Sequence, residues 1–351
     1  VTPDMHLGLI PDNPAEWKAL ASGRVPVPFF ETHFAFGLAR TVMAAAKLGV
    51  FESLSSQAAT ATEVAARCAT DPAATHQLLV ALAGCGYLQH RCDRYSLTSK
   101  ARTWLLVESP ASLVDAVHFE YDTIDLMDHV EDYVRTGRAL DIHRQMSGDR
   151  WNLYQRSMRA LAGQSAREVA ENVPVPCGAT DMIDVGGSHG HYSAALCRRH
   201  DGLHSVVLDL PEAVRAAAPL LAMENMGSRV THLAGDALTH DFGVDAYDVI
   251  LLSNLAHHFS AVANADLFER LGRALRPRGV LAVIEPMRLE TGDRVGQFSA
   301  LSELFFGVTS RSGAWTSRDI AKWQRAAGLR PAGEPLMLGG GSAGLQVATK
   351  P

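Results

Sequence analysis

The sequence predicts an α/β fold: a Rossmann-like, doubly wound and mostly parallel sheet preceded by a mainly helical unit of winged-helix pattern. Three observations carry this. Five apolar segments, Met182 to Gly187, His204 to Leu210, Val230 to Asp236, Tyr247 to Asn254 and Gly279 to Pro286, alternate with helix-forming stretches in the βα order of a parallel sheet. A glycine-rich run, Asp184-Val185-Gly186-Gly187-Ser188-His189-Gly190, follows the first segment and leads into a helix. Ahead of these lies a helix-turn-helix pattern with two β-prone pieces. The 351 residues exceed what one hydrophobic core usually organises, so two domains are expected, over residues 1–108 and 109–351.

From the amino terminus, Phe29, Phe30, Phe34, Phe36, Leu38, Val42 and Met43 recur at helical intervals between Pro28 and Lys47, more apolar than one face requires. Gly49, in Leu48-Gly49-Val50-Phe51, suits the end of that helix. Thr62 to Arg67 opens a short helix, and Asp71-Pro72 gives an N-cap and first-turn proline for Ala73 to Ala83, closed by Gly84 and Gly86. Tyr87 to Gln89 and Tyr95 to Thr98 are β-prone around the polar turn Arg91 to Arg94, forming the wing. Pro110 to Gly163 reads as several helices broken near Gly137 and Gly148, and Pro174, Pro176 and Gly178 form the linker to the sheet. Later helices are anchored at Pro211-Glu212, at Ala261 to Leu275 and at Thr316 to Ala327, with Thr316 or Ser317 as N-cap.

Composition narrows the function. With 47% hydrophobic and 20% charged residues the chain can bury a sizeable core. A net charge of −6 argues against gripping nucleic acid by neutralising phosphates. Five cysteines, Cys68, Cys85, Cys92, Cys177 and Cys197, are odd in number and lack C-x-x-C spacing, so neither a disulfide framework nor a thiolate metal site is indicated. The start from Val1, with Asp4, Asp12 and early prolines, lacks the basic-then-apolar run of a signal peptide, and no stretch is long enough to span a bilayer. A soluble, cytoplasmic protein is the expectation.

The glycine run sits where free backbone N–H groups at a sheet's carboxyl edge meet a ligand. A dinucleotide fingerprint ending at Gly190 would need glycine at Val185, which weakens the nicotinamide reading. Asp184 would repel a diphosphate and suits a cationic amino group instead. Asp209, about twenty residues on, is placed to accept both hydroxyls of a ribose, and Asp236, after Gly235, to receive an adenine amine. Each alone reads as a turn or cap aspartate; the ordered set of strand-end acids points to an adenosyl-amino acid.

These residues, with Asp209-Leu210-Pro211, the segment around His257, Glu285, the winged-helix half, and its Leu48-Gly49-Val50-Phe51 and Tyr95-Ser96-Leu97-Thr98, resemble the caffeic-acid-type small-molecule O-methyltransferase family over nearly the whole chain. The resemblance implies S-adenosylmethionine as cofactor, with Asp184, Gly186, Gly187, Gly190, Asp209, Leu210, Gly235, Asp236, Ala237, Ser253 and Asn254 in its site. It also implies a homodimer that exchanges its amino-terminal domains, and a phenolic hydroxyl of a secondary metabolite as acceptor. Ser253 to Phe259 resembles the family's Leu-His-Asp-Trp segment and places His257 on its catalytic histidine. The chemistry agrees, since a neutral hydroxyl attacks a sulfonium methyl poorly until a base takes its proton.

Glu285 matches the first of two family carboxylates that hold this histidine; at the second the sequence reads Ala314. His258 stands where the family has aspartate, and Ser188 where it has glycine. Adjacent helical residues diverge by about 100°, so only one histidine, His257, is expected to face the acceptor. Met158, in Trp151 to Met158, falls on the family's pocket methionine; Tyr154 shares that segment, and Phe305 and Phe306 are placed to close the pocket. For Met158 and the phenylalanines, core packing is the alternative. His118, Asp122, Asp125 and His129 recur on one helical face, read as a polar face rather than a metal site. N- or C-methylation, a non-methylating use of the sulfonium, a winged-helix regulator and a nicotinamide oxidoreductase remain as alternatives.

Overall fold

The computed structural model describes residues 7–287, 290–291, 294–310, 312–339 and 343–351; Val1 and Asp4, read above for a leader, lie outside them. Two compact units divide the chain between Ile124 and Asp125, later than the division expected after residue 108. The reason is local. The helix Val114–Thr123 packs on the helix Ala35–Lys47, with Lys47 Nζ 3.0 Å from Asp122 and Arg40 and Lys47 over the Tyr121 ring.

In the amino-terminal unit, Thr60 rather than Thr62 starts the helix Ala61–Cys68, through a capping box with Glu63. Asp71 caps Pro72–Gly84 by accepting the Ala74 N–H. The wing is the antiparallel pair β1 (Leu88–Arg91) and β2 (Arg94–Leu97), Leu88 opposite Leu97. Cys92 and Asp93, both at positive φ, make the two-residue loop whose twist suits a hairpin. Phe51, Leu54, Leu79, Leu82 and Tyr95 form the core, while Phe29, Phe34 and Phe36 are exposed.

The second unit carries the sheet. Its strands are β3 (Asp181–Val185), β4 (His204–Asp209), β5 (Val230–Ala234), β6 (Tyr247–Ser253) and β7 (Leu275–Glu285), followed by the hairpin β8 (Glu290–Thr291) and β9 (Arg294–Val295), then β10 (Arg330–Pro331), β11 (Leu336–Leu338) and β12 (Ala343–Thr349). The order is β10-β12-β7-β6-β3-β4-β5, with β11 paired to β12. β3 to β7 run parallel, whereas β12 pairs antiparallel to β7, an edge that the sequence reading did not contain. Side chains alternate between two cores. Met182, Val207, Val249, Leu251 and Ala282 face one, and Ile183, Leu208, Ile250, Leu252 and Leu281 the other. Burial on both faces accounts for the continuous apolar runs.

The polar face from His118 to His129 is corrected here. The α-helix stops at Thr123 and continues as 3₁₀ turns over Ile124–His129, and at three residues per turn the 3.6-residue register is lost.

Candidate functional site

The carboxyl ends of β3, β4 and β5 bring the strand-end acids to one edge, since Val185 pairs with Leu208 and Asp209 with Ala234. The loop after β3 turns through positive φ at Gly186, Ser188 and Gly190, and its strand-to-helix path is fixed by Gly186 N–H donating to Leu208 and Ala194 N–H to Gly190. Asp209 braces it: Oδ2 accepts the Ser188 N–H and Oδ1 the Leu210 N–H, each at 2.8 Å. Asp236 is exposed and accepts the Leu238 N–H, beside Gly235 and the buried Ala237. Ser253 is buried at the end of β6, and Asn254 is exposed at positive φ.

Asp184 is wholly buried, with Oδ2 accepting from Ser193 Oγ at 2.7 Å and Oδ1 without a hydrogen-bond partner among the described residues. The glycines also have another reason than ligand approach. A Cβ on Gly187 would lie 2.3–2.6 Å from the Asp184 carboxyl group, on Gly186 2.8 Å from Leu255, on Gly190 2.9 Å from Leu221 and on Gly235 2.9 Å from Leu208. Gly187 is thus required by the buried carboxyl group beneath it and Gly186 and Gly190 by their positive φ, whereas at Gly235 only a leucine methyl would have to give way. Gly187→Ala should cost ~1–3 kcal/mol through overpacking, read as a melting temperature lower by roughly 2–4 °C per kcal/mol; an unchanged melting curve would refute this account of Gly187.

Two carboxylates at this edge are uncompensated. Desolvation pushes Asp184 up to about 7, opposed by the Ser193 hydrogen bond. It pushes Asp209 up to about 6, against its two backbone donors. A ligand offering a cation to one and hydroxyl groups to the other supplies what they lack, and the partnerless Asp184 Oδ1 marks the place. The residues thus fit an adenosyl-amino acid bearing a sulfonium.

Beyond the strand-end acids, the 3₁₀ turn Ala256–His258 follows β6 and is pinned by Glu285 at the end of β7. Glu285 Oε1 accepts the N–H groups of Leu255 (2.8 Å) and Ala256 (2.6 Å), and Oε2 lies 2.6 Å from His257 Nδ1. Both members are buried, His257 at 4% and Glu285 at 1% exposure, so the pair is shielded from competing water. Phe306, from the helix Gln297–Thr309, stacks on His257 with ring centres 4.0 Å apart, and Phe305 lies edge-on to Phe306. Ala314, buried, offers His257 no second carboxylate.

The helix Gly148–Ala162 carries Tyr154 and the half-buried Met158, one turn apart on one face. Tyr154 OH is 3.2 Å from His143 Nε2, and burial raises the phenol's pKa. Next to Tyr154, Gln155 Oε1 meets Ser188 Oγ, so the helix with the aromatic residues touches the glycine loop. Ser188, a departure from the family, is thereby absorbed into this contact.

The rings of His257 and His258 nevertheless come close, with centres 4.1 Å apart and planes tilted by 56°, although adjacent residues of the 3₁₀ turn diverge by about 120°. His258 Nδ1 is 2.7 Å from Ser310 Oγ. Trp151, His143 and Ser310 were missed by sequence reasoning: they carry no motif spacing and join the site only through tertiary packing, His143 lying 5.8 Å from Trp151 and 4.5 Å from His258 between ring centres.

Residues 134–330 match the O-methyltransferase domain and residues 30–107 the O-methyltransferase dimerisation domain. A 3-hydroxy-5-methyl-1-naphthoate 3-O-methyltransferase of Streptomyces sahachiroi is 27% identical over 313 residues, covering 86% of this chain and 89% of the relative. An O-demethylpuromycin-O-methyltransferase of Streptomyces alboniger is 27% identical over 302 residues, covering 82% and 79%. The crystal structure of human N-acetylserotonin methyltransferase with its S-adenosylmethionine superposes with a TM-score of 0.82 at 19% identity, over 97% of this chain and 99% of that one.

Proposed function

From the premise that the chain belongs to the O-methyltransferase family and uses S-adenosylmethionine, we propose that it methylates a phenolic hydroxyl of a small secondary metabolite, with His257 as base and Glu285 as the carboxylate that orients it. The observation that carries this reading is the buried His257–Glu285 contact at 2.6 Å beside the edge that holds the acids. The relatives named for a naphthoate and for puromycin support an aromatic acceptor.

Bound S-adenosylmethionine supplies an electrophilic sulfonium methyl. The roles assigned to the chain follow from its atoms. Asp184 Oδ1 takes the cofactor's amino group, Asp209 its ribose hydroxyls and Asp236 its adenine amine, with Gly186, Gly187, Gly190, Leu210, Gly235, Ala237, Ser253 and Asn254 shaping that edge. Glu285 holds the Nδ1–H tautomer of His257, which leaves Nε2 to accept the acceptor's phenolic proton, and then stabilises the imidazolium. Phe305, Phe306, Tyr154 and Met158 wall the acceptor. Positioning supplies roughly 7–11 kcal/mol in well-oriented reactions, against about 10²–10⁴-fold from a base, so the walls matter more than the proton transfer.

The test joins product mass to calorimetry. Incubation with S-adenosylmethionine and a panel of phenols should give products heavier by one methylene, labile to O-demethylation; N- or C-methylated products alone would refute the phenolic reading. The pH dependence has a defined sign. The stability that Asp184 and Asp209 contribute is fully present below the range of an unfolded carboxylate and is lost as pH rises through about 6 and about 7. A cationic cofactor favours their ionised forms, so its affinity should rise from pH 5.5 to 7.5 with release of protons. Titration in two buffers of different ionisation enthalpy measures this, and zero proton release at pH 6.5 would contradict it.

The same reading gives the matched dimerisation domain, within residues 1–108, its role in a homodimer that exchanges amino-terminal domains. Phe29, Phe34 and Phe36, 53%, 53% and 62% exposed in a single chain, support it. Sedimentation should give twice the chain mass, and Phe34→Glu with Phe36→Glu should halve it; a wild-type monomer would end this part of the proposal. No helix among the described residues is long and apolar enough to cross a membrane, and five unpaired cysteines support a cytoplasmic setting.

A further inference from the structure

Beside the His257–Glu285 pair stand two imidazoles that the proposed proton transfer does not use. His143, from the short helix Ile142–Gln145, and His258 have ring centres 4.5 Å apart in a T-shaped contact, and His258 lies 4.1 Å from His257. Each spends one ring nitrogen on a hydroxyl: His143 Nε2 on Tyr154 at 3.2 Å, His258 Nδ1 on Ser310 at 2.7 Å. No hydrogen bond to His143 Nδ1 or His258 Nε2 is found among the described residues. Phe306, which covers His257, also meets His258 edge-on, and Trp151 and Tyr154 pack round His143.

We propose that His143 and His258 select the acceptor, by hydrogen-bonding through Nδ1 and Nε2 to an uncharged polar group on the ring carbon next to the hydroxyl that is methylated. This rests on the reading of His257 as base. With neighbouring imidazole centres 4.1 and 4.5 Å apart, an oxygen held at His257 brings a substituent on the adjacent carbon within reach of the second imidazole. One across the ring is carried away from it. The uncharged character follows from the surroundings. Glu285 serves His257 and faces neither of the other rings. Burial and then the His257 charge push His143 down to about 4, with Asp141 opposing, and burial, His257 and His143 hold His258 well below its ordinary value. With one nitrogen of each neutral imidazole already on a hydroxyl, the other offers an N–H or a lone pair according to tautomer, which matches a hydroxyl, amide or carbonyl and gives no ionic partner to a carboxylate.

The experiment compares kcat/KM for catechol, resorcinol, hydroquinone and phenol in the full-length wild type, His143→Phe, His258→Phe and His258→Asn. Melting curves and S-adenosylmethionine titrations confirm that each variant is folded and loaded. Wild type should favour catechol over the other three by about tenfold, the worth of one well-placed hydrogen bond. Each phenylalanine variant should lose most of that preference while keeping its rate on phenol within about threefold, and His258→Asn should restore part of it. Methylation of all four phenols without preference, or a preference that survives both phenylalanine variants, overturns the inference and leaves the proposed function standing. Methylation of none by wild type overturns the phenolic reading and this inference together.

Discussion

His257→Ala is expected to lower kcat/KM for the acceptor by about 10²–10⁴-fold while leaving the dissociation constant of S-adenosylmethionine within about twofold. The split follows from the placement of the side chain. His257 meets Glu285, Phe306 and His258, whereas the hydrogen bonds of the glycine loop run to Asp209, Leu208, Gln155 and His232, with only the Leu255 side chain beneath Gly186 shared with the turn. Loss of the imidazole frees one oxygen of Glu285, whose other oxygen still pins the turn through Leu255 and Ala256. The fold of the segment should therefore survive, which a melting curve checks. Unchanged turnover in a folded, cofactor-loaded variant would remove His257 from the chemistry without touching the family assignment. A matching loss of cofactor affinity would instead show that the turn shapes the cofactor edge.

The second large effect is expected at Asp209. Asp209→Ala removes the carboxylate proposed to take the ribose hydroxyls, and two hydrogen bonds to a charged group at about 1.5–3 kcal/mol each correspond to a loss of roughly a hundredfold or more in cofactor affinity. The free protein should lose far less. An uncompensated carboxylate whose desolvation raises it to about 6 is an unfavourable group in the empty site, so its removal offsets the two backbone contacts to Ser188 and Leu210. Calorimetry and thermal melting read the two quantities separately. Weak cofactor binding with a near-wild-type melting temperature is the expected pair; wild-type affinity would exclude Asp209 from the ribose site.

How much of this was legible in the sequence depends on whether a signal is local. The strands β3 to β7 were readable because burial on both faces leaves uninterrupted apolar runs such as Val249 to Leu252. The caps at Asp71 and Thr316 were readable because side chain and backbone partner lie three residues apart. β12 was not, since its antiparallel pairing with β7 joins residues sixty positions distant, as in Leu345 opposite Ile284, and nothing near Leu345 specifies that partner. The acids at the strand ends stood out as a set, but the depth of Asp184 did not: a strand-end aspartate looks the same in sequence whether it is open to solvent or covered by Gly187. The same holds for His143, whose place beside His258 depends on a packing contact across more than a hundred residues.

The rings of His257 and His258 come within 4.1 Å of each other between centres, a closeness that backbone periodicity does not report. Adjacent residues of the 3₁₀ turn after β6 diverge by about 120°, and the turn is held by Glu285 on two consecutive N–H groups. Strand ends feeding short turns are where ligand-binding edges lie in parallel sheets, so the departure from regular structure coincides with the place where chemistry is proposed.

The central claim, that the carboxyl edge of this sheet grips an adenosyl-amino acid and turns its sulfur toward His257, is tested most directly by a crystal structure of the protein with S-adenosylhomocysteine. The account predicts both ribose hydroxyls on Asp209, the amino group at Asp184 Oδ1, and the thioether sulfur facing His257 Nε2 across a gap that one acceptor oxygen fills. The nucleoside bound elsewhere, with Asp184, Asp209 and Asp236 all out of contact, would contradict it.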